Sequence, residues 1–319
     1  MGEFELIERY FKRAARQADV GIGDDCAIWT PTPGHQLAIS ADMLVEGRHF
    51  LSTVNPCDLG HKALAVNLSD LAACGATPRA FLLSLSLPRV DEEWLSGFST
   101  GLFALADAHG CELIGGDTTQ GPLNVSITVM GEVPVRQAIL RSGAQVGDDV
   151  YVSGHLGDAR LALEAFRGTV SLPQAVFELA RARLERPTPR TALGVGLRGL
   201  ATAMADISDG LWGDLGHILN ASRLGADLHF PAISNLMLTR DTWTCPADLL
   251  QQCVLSGGDD YELVFTSHPS HHHQVMSLSE SCNTPVTRIG HITADPRLLL
   301  LSKDGRVLPN TFRSFDHFA

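Results

Sequence analysis

Segments with the alternating pattern of β-strands and segments with the spacing of α-helices follow one another along the whole chain of 319 residues. In its first half, strand patterns at residues 37–40, 81–87 and 123–133 alternate with helical patterns at 55–75 and 92–109. This order predicts an α/β or α+β protein, and it argues against a helical bundle or a β-sandwich.

The chain is longer than most single domains, and a polar, glycine-containing stretch at residues 141–149 interrupts its pattern near the middle. A second series then follows, with strands at 150–153, 203–207, 226–230, 261–266 and 287–291, and with helices at 159–166, at 211–222 and on both sides of 186–190. We therefore expect two domains, an N-terminal α/β domain of residues 1–145 and a C-terminal α+β domain of residues 146–319.

The charge balance limits the possible partners. With 36 acidic against 24 basic residues the formal net charge is −12, which argues against binding to nucleic acid or to an acidic membrane surface. No apolar run approaches the roughly 20 residues of a membrane span, and the N-terminus lacks the pattern of a signal peptide. The seven cysteines form no Cys-x-x-Cys pair, which is typical of reduced thiols. We expect a soluble, cytoplasmic protein.

Short acidic segments interrupt the chain, most of them where an apolar run stops. They are Gly21–Asp25, Ser40–Asp42, Ile114–Asp117, Asp206–Gly210 and Gly257–Glu262. Taken singly, each is also typical of an ordinary turn or a helix cap. Carboxylates that converge on one cleft, however, cannot all stay ionised without cations between them. Together the segments therefore predict bound divalent metal ions, and with them a phosphate ligand.

Asp70 lies within a predicted helix, on the same stripe as Leu59 and Val66. Because that stripe is apolar, the carboxylate is expected to face inward. It is either a metal ligand or a buried structural acid, held by backbone groups or paired with Lys62 or Arg79.

The phosphate would have to be held without the usual glycine-rich motifs. The chain contains neither a P-loop nor a dinucleotide-binding fingerprint, and lysine is scarce near the acidic segments. Metal ions would then neutralise most of a nucleotide's charge, with Arg141 completing the contact. His49 is equally compatible with substrate contact and with packing, whereas the histidine run 271–273 is expected to lie on a solvated helix face.

Six motifs occur together and in a fixed order, and in this combination the chain resembles the thiamine-monophosphate kinase family. That family belongs to a superfamily that also contains aminoimidazole ribonucleotide synthetase, and the resemblance covers nearly the whole length. The motifs are Gly21-Ile-Gly-Asp-Asp-Cys-Ala27, Leu64-Ala-Val-Asn-Leu-Ser-Asp-Leu-Ala72, Leu113-Ile-Gly-Gly-Asp-Thr-Thr119, Asp206-Ile-Ser-Asp-Gly-Leu211, Ser256-Gly-Gly-Asp-Asp-Tyr-Glu-Leu263 and Phe315-Asp-His-Phe318.

The resemblance implies phosphorylation of thiamine monophosphate by ATP, in a direct in-line transfer that gives thiamine diphosphate and ends its biosynthesis. It also implies several Mg²⁺ ions, with metal and ATP bound mainly by the N-terminal domain and the site completed by the C-terminal domain. The implied fold has two α/β domains, and the N-terminal sheets of two subunits pair into a barrel across a homodimer.

The resemblance also assigns residues to roles. The implied magnesium ligands are Asp25, Ser40, the backbone of Ala41, Asp42, Asp70, Asp117, Asp206 and Asp209. The implied ATP contacts are Gly116, Asp117, Arg141 and Ser208. The implied contacts to thiamine monophosphate are His49, Asp259 and Phe315. Of all these residues, Asp42, Asp70, Asp117 and Asp209 would act most directly in catalysis.

Two positions depart from the family pattern. Ala41 stands where threonine is frequent, and Asp259 stands where glutamate is common, so that a shorter acid must reach the substrate. Two other functions compete with the kinase. One is an ATP-dependent ligase of the same superfamily, acting on formylglycinamidine ribonucleotide, and the other is a sensor that binds metal and nucleotide without turnover.

Overall fold

The structure is a computed structural model that describes residues 2–309. The chain divides into two compact units. The N-terminal unit comprises Met1–Leu71 and Ala76–Arg136, and the C-terminal unit comprises Ala72–Gly75 and Gln137–Ala319. Phe315, an expected substrate contact, lies outside the described residues.

The N-terminal unit contains a four-stranded sheet and three helices. In chain order these are α1 (Glu3–Tyr10), β1 (His35–Val45), α2 (Pro56–Ala73), β2 (Thr77–Leu87), α3 (Glu92–Ala108), β3 (Glu112–Gln120) and β4 (Asn124–Pro134). The strand order is β1-β4-β2-β3, in which β4 runs antiparallel to both neighbours and β3 parallel to β2. Strands β1 and β3 are therefore the two edges of the sheet.

Helices α2 and α3 approach each other closely through glycines. A Cβ atom on Gly60 would lie 2.0 Å from the carbonyl oxygen of Phe98, and one on Gly101 would lie 1.8 Å from that of Cys57. Such distances are far inside van der Waals contact, so neither position tolerates a larger residue. Most of α2 is buried, and its last turn is held in a fixed position beside β1 by the hydrogen bonds described below.

The C-terminal unit contains a six-stranded sheet with the order β10-β7-β9-β5-β8-β6. Its strands are β5 (Asp149–Ser153), β6 (Ala201–Ile207), β7 (Gly225–His229), β8 (Glu262–Ser267), β9 (Val286–Thr293) and β10 (Leu298–Leu301). Its helices are α4 (Asp158–Phe166), α5 (Gln174–Glu185), α6 (Thr191–Gly196), α7 (Leu211–Ser222), α8 (Phe230–Ile233), α9 (Ala247–Ser256) and α10 (His272–Ser281). Only β10 and β7 pair in parallel.

The sequence patterns predicted the class and most elements correctly, but they placed two acidic segments wrongly. Strand β1 continues to Val45, past Asp42, and β3 runs through Asp117 to Gln120. Both segments were expected at strand ends, because glycine and aspartate have low strand propensity. They extend here because they pair with β4 and β2, and because an edge strand leaves polar side chains accessible to water.

Within residues 2–309, no helix has both the length and the apolar character needed to cross a membrane.

Candidate active site

Strand β1 and helix α2 bring three of the predicted metal ligands together. The Ser40 hydroxyl donates a hydrogen bond to the carboxylate of Asp70, and the Asp42 N–H donates to Oδ1 of Asn67 at 3.1 Å. Ser40 and Asp42 are two residues apart on a strand, so their side chains lie on the same face. The sequence therefore places a hydroxyl and two carboxylates where β1 meets the last turn of α2.

Both cations that the sequence offered as partners for Asp70 also make other contacts. Arg79 forms an ion pair with the buried Glu132 at 3.0 Å, and Lys62 donates to the backbone carbonyl of His49 at 3.3 Å. Burial alone would raise the pKa of Glu132, but hydrogen bonds from Thr32 and Arg79 outweigh it, and the pKa is lowered.

His49 is half-buried just beyond β1. The N–H of Val45 donates to its Nδ1 at 3.0 Å. A neutral imidazole that accepts at Nδ1 carries its proton on Nε2. The ring is thus oriented by the backbone, with Nε2 as its donor atom.

We call the group of Ser40, Asp42 and Asp70 the first acidic corner. The second acidic corner consists of Gly116 and Asp117 on the other edge strand, β3. A Cβ atom on Gly116 would lie 1.8 Å from the carbonyl oxygen of Leu83, and its φ of +146° is unfavourable for other residues. Asp117 is exposed, and its carboxylate makes no hydrogen bond or ion pair with any described residue. The corner requires glycine, and it presents a solvated carboxylate.

The two corners are separated by the width of the sheet. One row of paired residues crosses it from Asp42 through Ile127 and Leu83 to Gly116. Three strand spacings of ~4.8 Å put the ends of this row about 14 Å apart. A single chain therefore does not bring Asp117 next to Asp42.

Asp25 lies in an exposed loop that follows α1, where its N–H donates a hydrogen bond to Oδ1 of Asp24 at 2.8 Å. Its carboxylate makes no hydrogen bond or ion pair with any residue in the range 2–309. In the C-terminal unit, the exposed guanidinium of Arg141 likewise has no partner among the described residues, and only its carbonyl is bonded, to the hydroxyl of Ser222 at 3.5 Å. Both side chains are accessible to a ligand.

The C-terminal unit positions Asp206, Ser208 and Asp209 around the end of β6. Asp206 is inside the strand and only 6% exposed, whereas Ser208 and Asp209 lie in the short connection to α7. The N–H groups of Ser208 and Asp209 each donate to Oδ2 of Asp214 at 3.1 Å. Burial raises the pKa of Asp214 to about 7, even though these N–H bonds act to lower it.

The loop that carries Asp259 is joined to this connection. The N–H of Asp259 donates to the carbonyl of Ser208, and that of Tyr261 donates to the carbonyl of Ile207, both at 2.9 Å. Asp259 and Tyr261 have φ values of +67° and +51°, which side-chain-bearing residues rarely adopt. The loop is therefore held in a strained conformation by its contacts.

A buried ionic network anchors the end of this loop. Glu262 is fully buried and pairs with Arg183 at 2.8 Å and with Arg190 at 2.5 Å, while the Ser153 hydroxyl donates to it at 2.7 Å. Beside it, Asp260 accepts the N–H of Gly157 at 2.9 Å, and its other carboxylate oxygen has no hydrogen-bond partner among residues 2–309. Burial raises the pKa of Asp260 well above its usual range.

Sequence reasoning did not find these supporting residues. Asp260 and Glu262 lie within the motif Ser256–Leu263, but no supporting role was assigned to them, and Asp214 follows the motif Asp206–Leu211 by three residues. The partners Arg183 and Arg190 lie more than seventy positions from Glu262 and carry no local signal.

The donor set determines which metal the site could hold. Across residues 2–309, no three His, Cys, Asp or Glu side chains form a group that could bind a metal ion by themselves. The available donors are carboxylates and a hydroxyl, and Mg²⁺ is typically bound by one or two carboxylates together with waters and substrate phosphates. The residues therefore fit Mg²⁺ that is bound together with a nucleotide.

Comparison with known families agrees with this architecture. Residues 23–133 match the model for the AIR synthase related protein, N-terminal domain, and residues 145–301 match the model for the AIR synthase related protein, C-terminal domain. The fold and the acidic site thus define an AIR synthase related protein.

More specific relatives cover the full length. The thiamine-monophosphate kinase of Salmonella typhimurium is 44% identical over 100% of this chain and 98% of its own. The crystal structure of thiamine-monophosphate kinase from Stenotrophomonas maltophilia matches with a TM-score of 0.85 and 42% identity, covering 96% of both chains. AaThiL complexed with AMPPCP and TMP matches with a TM-score of 0.75 and 28% identity, covering 91% of this chain and 89% of that one. The chain belongs to the thiamine-monophosphate kinase family, which confirms the resemblance seen in its motifs.

Proposed function

We propose that this protein phosphorylates thiamine monophosphate with ATP, giving thiamine diphosphate and ADP by direct in-line transfer. The observation that carries the proposal is its full-length similarity to thiamine-monophosphate kinases. A relative at 28% identity has been solved with AMPPCP, a non-hydrolysable ATP analogue, and TMP. The acidic corners supply the oxygen donors that such a reaction requires.

Mg²⁺ ions bound with the substrates would neutralise the phosphates and the charge that develops during transfer. The residues proposed to hold them are Asp25, Ser40, the Ala41 backbone, Asp42, Asp70, Asp117, Asp206 and Asp209. In the proposed division of labour, residues 1–145 provide most of the metal and ATP contacts, and residues 146–319 complete the site.

The remaining residues bind and orient the substrates. Arg141, Ser208 and the Gly116 backbone would contact ATP, and the accessible guanidinium of Arg141 suits a phosphate oxygen. His49 Nε2–H is a donor suited to thiamine monophosphate, while Asp259 would contact the same substrate from its constrained loop. The acceptor is already an anionic phosphate, so the reaction needs no strong general base.

We further propose that the protein acts as a homodimer that assembles through the N-terminal sheet. The edge strand β1 exposes Leu37, Ile39 and Met43 by 44%, 62% and 53%. An apolar edge strand that pairs with a neighbouring strand on one side only favours pairing with another strand. Pairing β1 of one copy with β3 of its partner, twice around a two-fold axis, closes an eight-stranded barrel. It would also bring the partner's β3, which carries Asp117, to the edge strand that carries Asp42, which one chain cannot do.

The test is an assay of purified protein with Mg²⁺, ATP and thiamine monophosphate. We expect ADP and thiamine diphosphate in equal amounts, and no product after chelation of the metal. Turnover of formylglycinamidine ribonucleotide with release of phosphate would indicate the ligase instead. Binding of ATP and metal without product at any Mg²⁺ concentration would indicate a sensor and contradict the kinase.

A further inference from the structure

The connection between β6 and α7 carries predicted ligands, yet two of its backbone N–H groups are bonded to a side chain of the helix that follows. The N–H groups of Ser208 and Asp209 both donate inward to Asp214, a residue in the first turns of α7 that is only 4% exposed. Asp214 therefore cannot contact a substrate itself. Its carboxylate acts on the site only through the two residues that it binds.

This arrangement reverses the usual chemistry of a helix N-terminus. Free N–H groups and the positive end of the helix dipole normally favour a bound phosphate. Here a carboxyl group of the same helix already accepts hydrogen bonds from the N–H groups of the entering chain, so these donors are not available to a phosphate. The outward side of the connection is left with side-chain oxygens, which favour a cation over an anion.

The connection is also held from the opposite side. The carbonyl of Ser208 accepts the N–H of Asp259, and a Cβ atom on Gly210 would lie 2.9 Å from the backbone of Ser256. The Ser208 residue is thus bonded through its N–H to Asp214 and through its carbonyl to the Asp259 loop. If Asp214 is removed, one of these two restraints is lost and two half-buried N–H groups lose their acceptor.

We propose that Asp214 is a positioning residue that sets the backbone of Ser208 and Asp209 so that this connection binds metal ions rather than bare phosphate. The inference rests on the proposed function, because it takes Asp206 and Asp209 as ligands of metal bound with ATP. Residues that orient metal ligands typically change metal affinity by about 10- to 100-fold when removed.

The experiment measures binding without turnover. Mn²⁺ is titrated into the full-length protein in the presence of AMPPCP, and bound Mn²⁺ is followed by electron paramagnetic resonance. We expect Asp214→Ala to weaken Mn²⁺ binding at least about 10-fold. Asp214→Asn, which keeps an acceptor oxygen at the same place, should recover most of that loss.

Asp158 provides a matched control. It is a fully buried aspartate in the first turn of α4, and it accepts the N–H groups of Leu238 and Thr239 at 2.8 and 3.0 Å. Asp158→Ala should lower the melting temperature as Asp214→Ala does, but it should leave Mn²⁺ binding unchanged. If the two variants lose stability equally and both bind Mn²⁺ like the wild type, Asp214 has only a structural role and the proposal is wrong.

If Asp214→Ala fails to fold, Asp214→Glu decides the question. Its carboxylate is retained but displaced by one methylene, so Mn²⁺ binding should weaken several-fold, whereas wild-type affinity would overturn the proposal. A wild-type protein that bound no Mn²⁺ with AMPPCP would overturn the proposed function as well. Unchanged binding in the Asp214 variants would overturn this inference alone.

Discussion

The acidic residues of the two units are positioned by different means. In the N-terminal unit, Ser40, Asp42 and Asp70 lie on a regular strand and a regular helix, half-buried and supported by a few hydrogen bonds. In the C-terminal unit, Asp209 and Asp259 lie on irregular loops that buried carboxylates and ion pairs hold in place. A regular strand and helix need only a few hydrogen bonds to place these ligands, whereas the irregular loops depend on buried carboxylates and ion pairs.

This difference predicts different responses to substitution. In the N-terminal unit, removing a ligand should reduce activity with little change in stability, because the side chain contributes little to the core. In the C-terminal unit, removing a buried carboxylate that holds a loop should reduce both activity and stability. The same buried groups stabilise the fold and shape the loop.

The largest effect is expected from Asp70→Asn. The variant keeps the shape of the side chain but loses its charge, so kcat should fall by about 1000-fold, or ~4 kcal/mol. The melting temperature should stay within about 2 °C of the wild type. As a control, Asp107 lies on α3 and forms an exposed ion pair with Arg13. Asp107→Asn should change neither kcat nor the melting temperature. Near-normal kcat in Asp70→Asn at saturating Mg²⁺ would show that Asp70 is not a ligand.

A smaller but still large effect is expected from Glu262→Gln in the C-terminal unit. Neutralising Glu262 leaves Arg183 and Arg190 buried without a counter-ion, at a cost of about 3 kcal/mol. Calorimetry should show a melting temperature lower by about 6 to 12 °C, and the KM for thiamine monophosphate should rise as the Asp259 loop relaxes. The exposed Asp295 pairs with Arg297, and Asp295→Asn should leave both values unchanged. A lowered melting temperature with an unchanged KM would mean that the ion pairs of Glu262 stabilise the fold but do not position the Asp259 loop.

Gly116→Ala should have an intermediate effect of about 2 kcal/mol on stability, because its Cβ atom would collide with Leu83 and its φ is positive. The KM for ATP should rise as well. Gly110 also has a positive φ, but it has no heavy atom near the added methyl group, so Gly110→Ala should cost only about 1 kcal/mol and leave KM unchanged. Equal losses in the two variants would mean that the contact with Leu83 does not matter.

The smallest effect concerns pH. The folded-state pKa of Glu132 lies below its usual value of 4.5, so its stabilising contribution is complete above that pH and is lost as pH falls through the folded-state pKa. Glu132→Gln should therefore lower stability by about 1 kcal/mol at neutral pH and by progressively less in acid. The check is the difference in melting temperature between wild type and Glu132→Gln. If this difference stayed constant from pH 7 to pH 3, the lowered pKa of Glu132 would be contradicted.

The sequence predicted regular elements better than it predicted the supports of the site. Helix α7 begins at Leu211 and ends at Ser222 as expected, because its apolar spacing and entry residues are local signals. The extent of β1 and β3 was predicted wrongly, since pairing with neighbouring strands overrode the low propensity of Asp42, Gly116 and Asp117.

The supports of the C-terminal loops depend on contacts that a pattern cannot show. Glu262 meets Arg183 and Arg190 only because β8, α5 and the start of α6 pack together in the folded unit. The roles of Asp25, Asp117 and Arg141 likewise stay predictions, because their side chains have no partners among the described residues that would test them.

We propose that acidic side chains at the two edges of the N-terminal sheet work in one site only when two chains pair. The most direct measurement is the activity of a heterodimer of Asp70→Asn and Asp117→Asn subunits, co-expressed with different tags and purified by both. Each homodimer has two defective sites, whereas the heterodimer has one site with both substitutions and one with neither. We expect about half of the wild-type kcat per dimer, and activity no higher than that of the inactive homodimers would contradict the claim.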